Sequence, residues 1–517
     1  MAETRSRLYA LKPIIERWPA ITKPEGHVSF KTKLLWTTGC LLLYFVMANV
    51  TLFGVSSTQL DLFEGFRAIL AGASGTIVHL GIGPIVTGSI VMQLFTGAKI
   101  INLDLTKAED KAIYQGTQKI LVIAFIFIES IPQVYGFLEP DQLLINQIGS
   151  GGARAIIVGQ LAIGSLIVFF MDELISKWGI GSGISLFIAA GVSQALFMGT
   201  LNYEPVGAGT YDPVDNPPVG TLPMAFYVFS QRDLVSLVHQ GGFEQMFIGN
   251  QLFPNPIITF LATVAIFFFV VFAESSRVEL PLAHGKVRGA RGRYPLRLIY
   301  ASNIPVILMA ALIANVNIFS LLLWQHPTFS EIPFIGHAWW IGTYQPGSTQ
   351  PVAGGAWYLS TFNGLSAWFL PIFDSARYGV AATGHAPWQI MLKIVIYLGL
   401  FTGGSIMFAK FWVETTNMGP EAVAKQIERS GMQIPGFRRD PRVLQKILGR
   451  YIPTITVIGG ATVGGLAAVA DMMGTVGQAS GTGLLLCVGI LMRTYEQIAK
   501  EQAMEMHPVL RGFFGAQ

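Results

Sequence analysis

Ten apolar stretches separated by polar or charged segments run along the chain, at about 34–53, 76–97, 119–137, 154–171, 184–200, 255–273, 298–323, 389–409, 452–470 and 482–499. Each has roughly the 20 predominantly apolar residues that a helix needs to cross a hydrocarbon core about 30 Å thick. The pattern predicts an all-α polytopic membrane protein with ten transmembrane helices. Within it, His79–Thr87 carries Gly81, Gly83 and Pro84 at mid-depth, and comparable breaks occur at Gly181–Ile188 and Asn303–Ile307. A helix in lipid must satisfy its own backbone hydrogen bonds, so such breaks need cover from protein or a water-filled cavity. These segments are therefore candidates for an inner wall, with Ile82 and Val86, four apart, on one helical face.

The two halves repeat. Pro84-Ile85-Val86 in the second stretch matches Pro305-Val306-Ile307 in the seventh, and Gly181-Ser182-Gly183-Ile184 at the fifth matches Ser480-Gly481-Thr482-Gly483-Leu484 at the tenth. Five spans per half reverse the orientation of the second half, which predicts two inverted five-helix halves around a central path. The expected division is a terminal segment 1–33, a first half 34–200, an external loop 201–254, a second half 255–500 and a tail 501–517. The second half includes basic loops 277–297 and 410–451 and a second external loop 324–388. If the broken helices converge, their facing residues are Ile82, Val86, Ile184, Ile188, Ile307 and Leu486. A narrow aliphatic throat holds water poorly and strips a passing ion of hydration. The same six residues equally suit plain helix packing, and spacing alone leaves both readings open.

Charge orients this arrangement. Only 12% of residues are charged and 52% are hydrophobic, with 57 glycines. Of the 34 Lys and Arg residues, 29 fall in segments on one side, leaving Arg67, Arg154, Arg232, Arg377 and Lys393 elsewhere. The positive-inside rule makes that side cytoplasmic, with both termini on it. The first 32 residues show no short apolar core with a small-residue cleavage site, so the first span itself is expected to direct insertion. Two loops concentrate the cations. In Arg277–Arg297, Lys286, Arg288, Arg291 and Arg293 alternate with small residues, as in a flexible loop presenting guanidinium groups to phosphate or acidic surfaces. The other holds Gly436-Phe437-Arg438-Arg439-Asp440-Pro441-Arg442. Positive-inside bias explains many of these charges; their clustering points towards a nucleic-acid or ribosomal partner.

Chemistry-bearing residues are few. Ser57–Leu70 places Leu60, Phe63, Phe66 and Leu70 at helical spacing beside Asp61, Glu64 and Arg67, too short and too charged to cross. It reads as a half-inserted or surface amphipathic helix. Glu129 is the clearest intramembrane carboxylate and could form a polar seam with Thr87 and Asn315; such a group costs roughly 2.5–3.5 kcal/mol to insert. Cys40 and Cys487, both within spans, read as buried hydrophobes. Gly72-Ala73-Ser74-Gly75 superficially matches an intramembrane serine protease, but no later span carries a histidine base. An ion-coupled transporter would need a polar midplane site where aliphatics predominate. No enzymatic activity, cofactor or metal is expected.

Six segments carry a specific resemblance: Leu80–Thr87, Tyr114–Lys119, Lys177–Ile184, Glu279–Gly285, Ser302–Ile307 and Phe411–Thr416. They resemble the SecY family, the central subunits of the protein-conducting Sec translocon, in its archaeal and eukaryotic-like form, and extend over nearly the whole chain. The resemblance implies an hourglass of ten helices. Its waist would be closed by a ring at Ile82, Val86, Ile184, Ile188, Ile307 and Leu486, and its outer side by a plug at Ser57–Leu70. It implies a lateral gate between spans 2 and 3 and spans 7 and 8, with Thr87, Glu129 and Asn315 as its polar cluster. Ribosome-docking loops would use Arg288, Arg291, Arg293, Arg438 and Arg439. The implied partners are a SecE-type subunit, a SecG or Secβ-type subunit, the ribosome, a nascent polypeptide with its signal sequence, and membrane lipid. Asn202–Asn250 is longer than the family pattern.

Overall fold

The computed structural model describes residues 7–26, 28–56, 70–98, 100–101, 103, 105, 107–136, 138–207, 216–231, 246–248, 254–284, 291–299, 301, 303–325, 338–345, 350–362, 364–373, 384–416, 418–429, 432–433 and 441–506. Helices stand at all ten expected positions: α2 (Phe30–Ala48), α3 (Gly83–Gly97), α4 (Ala108–Gly136), α5 (Gln142–Trp178), α6 (Gly183–Leu201), α8 (Ile257–Ser275), α9 (Ile304–Gln325), α12 (Pro387–Thr415), α14 (Pro441–Met473) and α15 (Gly481–Met506). Shorter helices are α1 (Lys12–Arg17), α7 (Thr221–Gln231), α10 (Gly355–Leu359), α11 (Phe369–Phe373) and α13 (Pro420–Arg429). Among the described residues seven are long and apolar enough to cross a membrane unaided, namely α4, α5, α6, α8, α9, α12 and α14. The other three have visible reasons to fall short. α2 opens on Lys31 and Lys33, α15 carries Arg493 and Glu496, and α3 has only 15 residues.

α3 is short because its first turns do not form. The stretch from 76 to 82, expected to be helical, is a run of turns ending at Gly81, whose φ is +55°. A Cβ at Gly81 would come within 2.8 Å of the Ala71 backbone, so glycine alone allows this approach without strain. The helix then starts on Gly83-Pro84, where proline's missing N–H costs nothing. α5 runs the other way: at 37 residues it exceeds the predicted stretch, with a non-helical kink at Gly149.

The inverted halves are visible in one repeated joint. Near the end of α5, Asp172 Oδ1 accepts the Ile184 N–H at 2.9 Å; near the end of α14, Asp471 Oδ1 accepts the Thr482 N–H at 2.8 Å. Gly183 and Gly481 lie against those acidic residues, each leaving room of 2.5 Å or so from a would-be Cβ to the Asp backbone. Between halves, α3 packs on α9 and α12, α4 meets α9, and α6 packs on α15.

One basic loop differs from expectation. The described residues 277–284 and 291–297 pair as an antiparallel hairpin, β1 (Arg277–His284) with β2 (Arg291–Arg297), in a register from Arg277↔Arg297 to Ala283↔Arg291, while 285–290 with Lys286 and Arg288 lie outside the described residues. Period-two alternation of Val278, Leu280 and Leu282 favours a strand over a loop. A third strand, β5 (Met432–Gln433), pairs with β1 through Ala283↔Gln433 and His284↔Met432, joining the two basic loops in one sheet. On the opposite face, β3 (Thr343–Tyr344) and β4 (Pro351–Ala353) form a small hairpin.

Candidate functional site

The helix starts converge. Ile82 caps α3 and Val86 follows one turn later, its N–H bonded to the Ile82 carbonyl at 3.0 Å. Ile184 and Ile188 lie on the first turns of α6, Ile307 on the first turn of α9, and Leu486 on α15. Five of these, all but Ile184, belong to one contiguous buried core and are at most 6% exposed. Ile184 is half-buried and packs against the same core. The structure thus buries these aliphatics in one large core, and it brings Val86, Ile184 and Ile307 to a common cavity wall.

Beside them lies a cavity of about 410 Å³, bounded by Val86, Ile184 and Ile307. Its other walls mix polar Ser89, Gln93, Lys111, Gln118 and Thr415 with apolar Leu105, Ile304, Leu308 and Trp412. A cavity of mixed lining that ends on aliphatic side chains can hold water at its polar groups and disfavour ions at the aliphatic end.

The segment leading into Ile82 is latched to it. The Ile82 N–H donates to the Leu70 carbonyl at 2.8 Å, and the Tyr44 hydroxyl donates to the Ala71 carbonyl at 2.9 Å. Leu70 is buried in the main core, and Ala71 sits at φ +49°, a strained conformation for a residue with a Cβ. Leu60, Phe63 and Phe66, with the rest of 57–69, lie outside the described residues.

The polar seam forms where it was expected. Thr87 Oγ1 lies 2.8 Å from Glu129 Oε1 and 2.9 Å from the Gly83 carbonyl, and shares its proton between them. Asn315 Nδ2 donates to Thr87 Oγ1 at 3.0 Å. Gly83 leaves space for the carboxyl, since a Cβ there would be 3.0 Å from Glu129 Oε2. Of these contacts only Asn315–Thr87 joins the two halves. Hydrogen bonds between membrane helices average about 0.6 kcal/mol, so this link is weak enough to be broken by a competing helix.

Of the basic candidates, Arg291 and Arg293 lie on β2, while Arg288, Arg438 and Arg439 lie outside the described residues. The base of the hairpin is held by α15 through two ion pairs. Glu274, just before β1, is 3.6 Å from Arg493, and Arg297 at the end of β2 pairs with Glu496. Buried Asn303, at the start of α9, sits in the same cluster. Gly489 makes room for both Asn303 and Glu274, as a Cβ there would clash with the Asn303 amide and lie 2.5 Å from Glu274 Oε1. Pattern reading missed this cluster and both joint aspartates, because Asp172 and Asp471 stand one residue beyond the expected span ends. Lys393 was counted only as an outlier of charge; it is buried, donates to Ser360 Oγ at 2.9 Å and lies 4.7 Å from the Trp357 ring and 4.6 Å from the Phe362 ring.

Comparison with known proteins agrees with this geometry. A family model described as SecY matches residues 76–495, and one described as the plug domain of Sec61p matches residues 42–75. The protein translocase subunit SecY of Haloferax volcanii is 44% identical over 516 residues, covering 98% of this chain and 99% of its own. That of Archaeoglobus fulgidus is 43% identical over 519 residues, covering 99% of both. A solved structure described as that of a protein conducting channel aligns with a TM-score of 0.75 at 36% identity, covering 96% of this chain and 98% of its own. Sec61 in a canine ribosome-channel complex from the endoplasmic reticulum aligns with a TM-score of 0.72 at 36% identity, again over 96% and 98%.

Proposed function

The chain belongs to the SecY family, and from that premise we propose how its residues share the work of a protein-conducting channel. Unfolded polypeptides cross the membrane through its centre, and apolar segments leave sideways into lipid. Ile82, Val86, Ile184, Ile188, Ile307 and Leu486 are the ring that seals the resting pore. The observation that supports this assignment is that five of these aliphatics, from four helix starts, lie in one buried core with Ile184 packed against it, and that Val86, Ile184 and Ile307 line one cavity.

The segment 57–70, with Leu60, Phe63, Phe66 and Leu70, is the plug, and the Leu70–Ile82 hydrogen bond is its latch to the ring. The lateral gate lies between α3 and α4 on one side and α9 and α12 on the other. Thr87, Glu129 and Asn315 hold it shut. A hydrophobic signal segment competes for this seam because it gains apolar burial in lipid. Once Asn315 parts from Thr87, Glu129 and Thr87 move together with the first half.

The face bearing the three-stranded sheet is cytoplasmic, in the cell membrane, with both termini on it. The ribosome docks there through Arg288, Arg291, Arg293, Arg438 and Arg439. A SecE-type subunit clamps the halves, 34–200 and 255–500, and a SecG or Secβ-type subunit joins them. The test is crosslinking of a stalled nascent chain to single cysteines at the six ring positions. Adducts at the ring, and none at lipid-facing Leu42 or Phe268, are expected; absence of ring adducts overturns the assignment.

A further inference from the structure

The long outer connection between the halves contains α7, Thr221–Gln231, whose sequence TLPMAFYVFSQ holds no Asp, Glu, Lys, Arg or His. Met224 and Val228, four apart, are fully buried and pack with Met246 beside Ile257 of α8. Away from that buried side, Leu222, Phe226 and Phe229 are 45%, 79% and 45% exposed. Their spacing of four and three residues makes them one stripe along the helix.

A helix with apolar side chains on both sides belongs in a protein core or in lipid. The inner side is covered by protein, and the stripe is not. With 11 residues α7 is about 16 Å long, roughly half the thickness of a bilayer core. It can enter one leaflet but cannot cross. Charge returns immediately after it, at Arg232 and Asp233. Its neighbours set its depth: α7 packs against α6 and α8, which span the membrane. On those helices Phe197, Met198 and Leu261 are also exposed, so the stripe continues a surface that faces acyl chains.

We propose that α7 is inserted in the outer leaflet with Leu222, Phe226 and Phe229 against lipid, and anchors the connection between the halves there. Its fixed end supports that role. The Thr221 hydroxyl lies 3.0 Å from the Asn255 carbonyl and 3.3 Å from the Gly199 carbonyl, touching the approach to α8 and the last turn of α6. Asn255 Nδ2 donates to the Val219 carbonyl at 2.9 Å, and its Oδ1 accepts the Gly477 N–H at 2.7 Å. An anchor at this point holds the junction of the halves in the membrane plane while the opposite seam opens.

The experiment labels Phe226→Cys with an environment-sensitive fluorophore in the assembled complex in proteoliposomes. Cys40 and Cys487 are buried and stay unlabelled. Exposed Glu204→Cys on the same connection serves as the aqueous control. Nitroxide-bearing lipid is expected to quench the Phe226→Cys label severalfold more than the control, and aqueous iodide to do the reverse. Quenching by iodide alone places the stripe in water and overturns the proposal. Shielding from both quenchers means that a protein covers it, and overturns the proposal equally. Neither result bears on whether polypeptides cross the ring.

Discussion

Asp172 and Asp471 perform the same task in opposite halves: each accepts a backbone N–H from the first turn of the next helix, that of Ile184 at 2.9 Å and of Thr482 at 2.8 Å. The helices so fixed, α6 and α15, pack on one another and carry Ile184, Ile188 and Leu486. Asp471 also accepts from the Thr482 hydroxyl at 2.6 Å and the Tyr397 hydroxyl at 2.8 Å, tying α14, α15 and α12 together.

Replacement of Asp471 should therefore cost more than replacement of Asp172. Loss of a capping carboxylate typically costs about 1 kcal/mol, and two further buried bonds lost at Asp471 each add about 1 kcal/mol. Thermal unfolding in detergent of Asp172→Ala and Asp471→Ala should rank them in that order. Equal destabilisation would show that the Thr482 and Tyr397 hydroxyl bonds contribute nothing.

A ring that seals by apolar contact should open when it is made polar. Ile82 and Ile307, at 0% and 6% exposure, each contribute roughly 1.5–3 kcal/mol of burial. Ile82→Ser with Ile307→Ser should raise resting ion conductance in planar bilayers, as should deletion of residues 57–70. Wild-type conductance in both variants would refute the seal.

Gly81 should matter through geometry alone. With φ at +55° and the Leu70 carbonyl and Ala71 backbone against it, Gly81→Ala pushes the 70–71 backbone away and disturbs the Leu70–Ile82 hydrogen bond. Increased leak is expected although every ring side chain is intact. A silent Gly81→Ala would mean that the Leu70–Ile82 latch is not needed for closure.

Asn315→Leu removes the hydrogen bond by which Asn315 joins the halves at Thr87. A loss near 0.6 kcal/mol shifts the closed-to-open ratio by about threefold. Weakly hydrophobic signal sequences should then be accepted more readily in a reconstituted translocation assay. Unchanged selectivity would argue that apolar packing of α3 on α9 holds the gate by itself.

Reversing charge at Arg438 and Arg439 should weaken ribosome binding and flatten its dependence on salt, as fewer phosphate contacts release fewer counterions. Co-sedimentation across a salt series measures both. Identical affinity and slope for mutant and wild type would exclude these two residues.

Much of the molecule was legible before any coordinates. Ten apolar stretches gave ten helices, since a chain in lipid has no other way to satisfy its backbone, and breaks at Gly81, Gly183 and Pro305 marked the inner wall. The polar seam was also readable, because Thr87, Glu129 and Asn315 stand out in apolar surroundings. Less legible was the sheet. Small residues between cations in 277–297 suggested flexibility, whereas the alternating Val278, Leu280 and Leu282 set a strand that finds a third partner 150 or so residues later. The early start assigned to α3 failed for a similar reason, as Gly81 adopts its conformation only against Ala71.

Hydrophobic length and charge asymmetry, which act locally on each segment, determined the class, the number of crossings and the basic face from sequence alone. Tertiary structure decided what depends on residues distant in the chain. The burial of the ring candidates in one core, the repeated aspartate joints, the clasp of α15 on the basic hairpin and the exposed stripe of α7 all require two or more helices to meet. Aliphatic side chains carry no directional signal, so identical leucines and isoleucines can face lipid or a pore until their neighbours are in place.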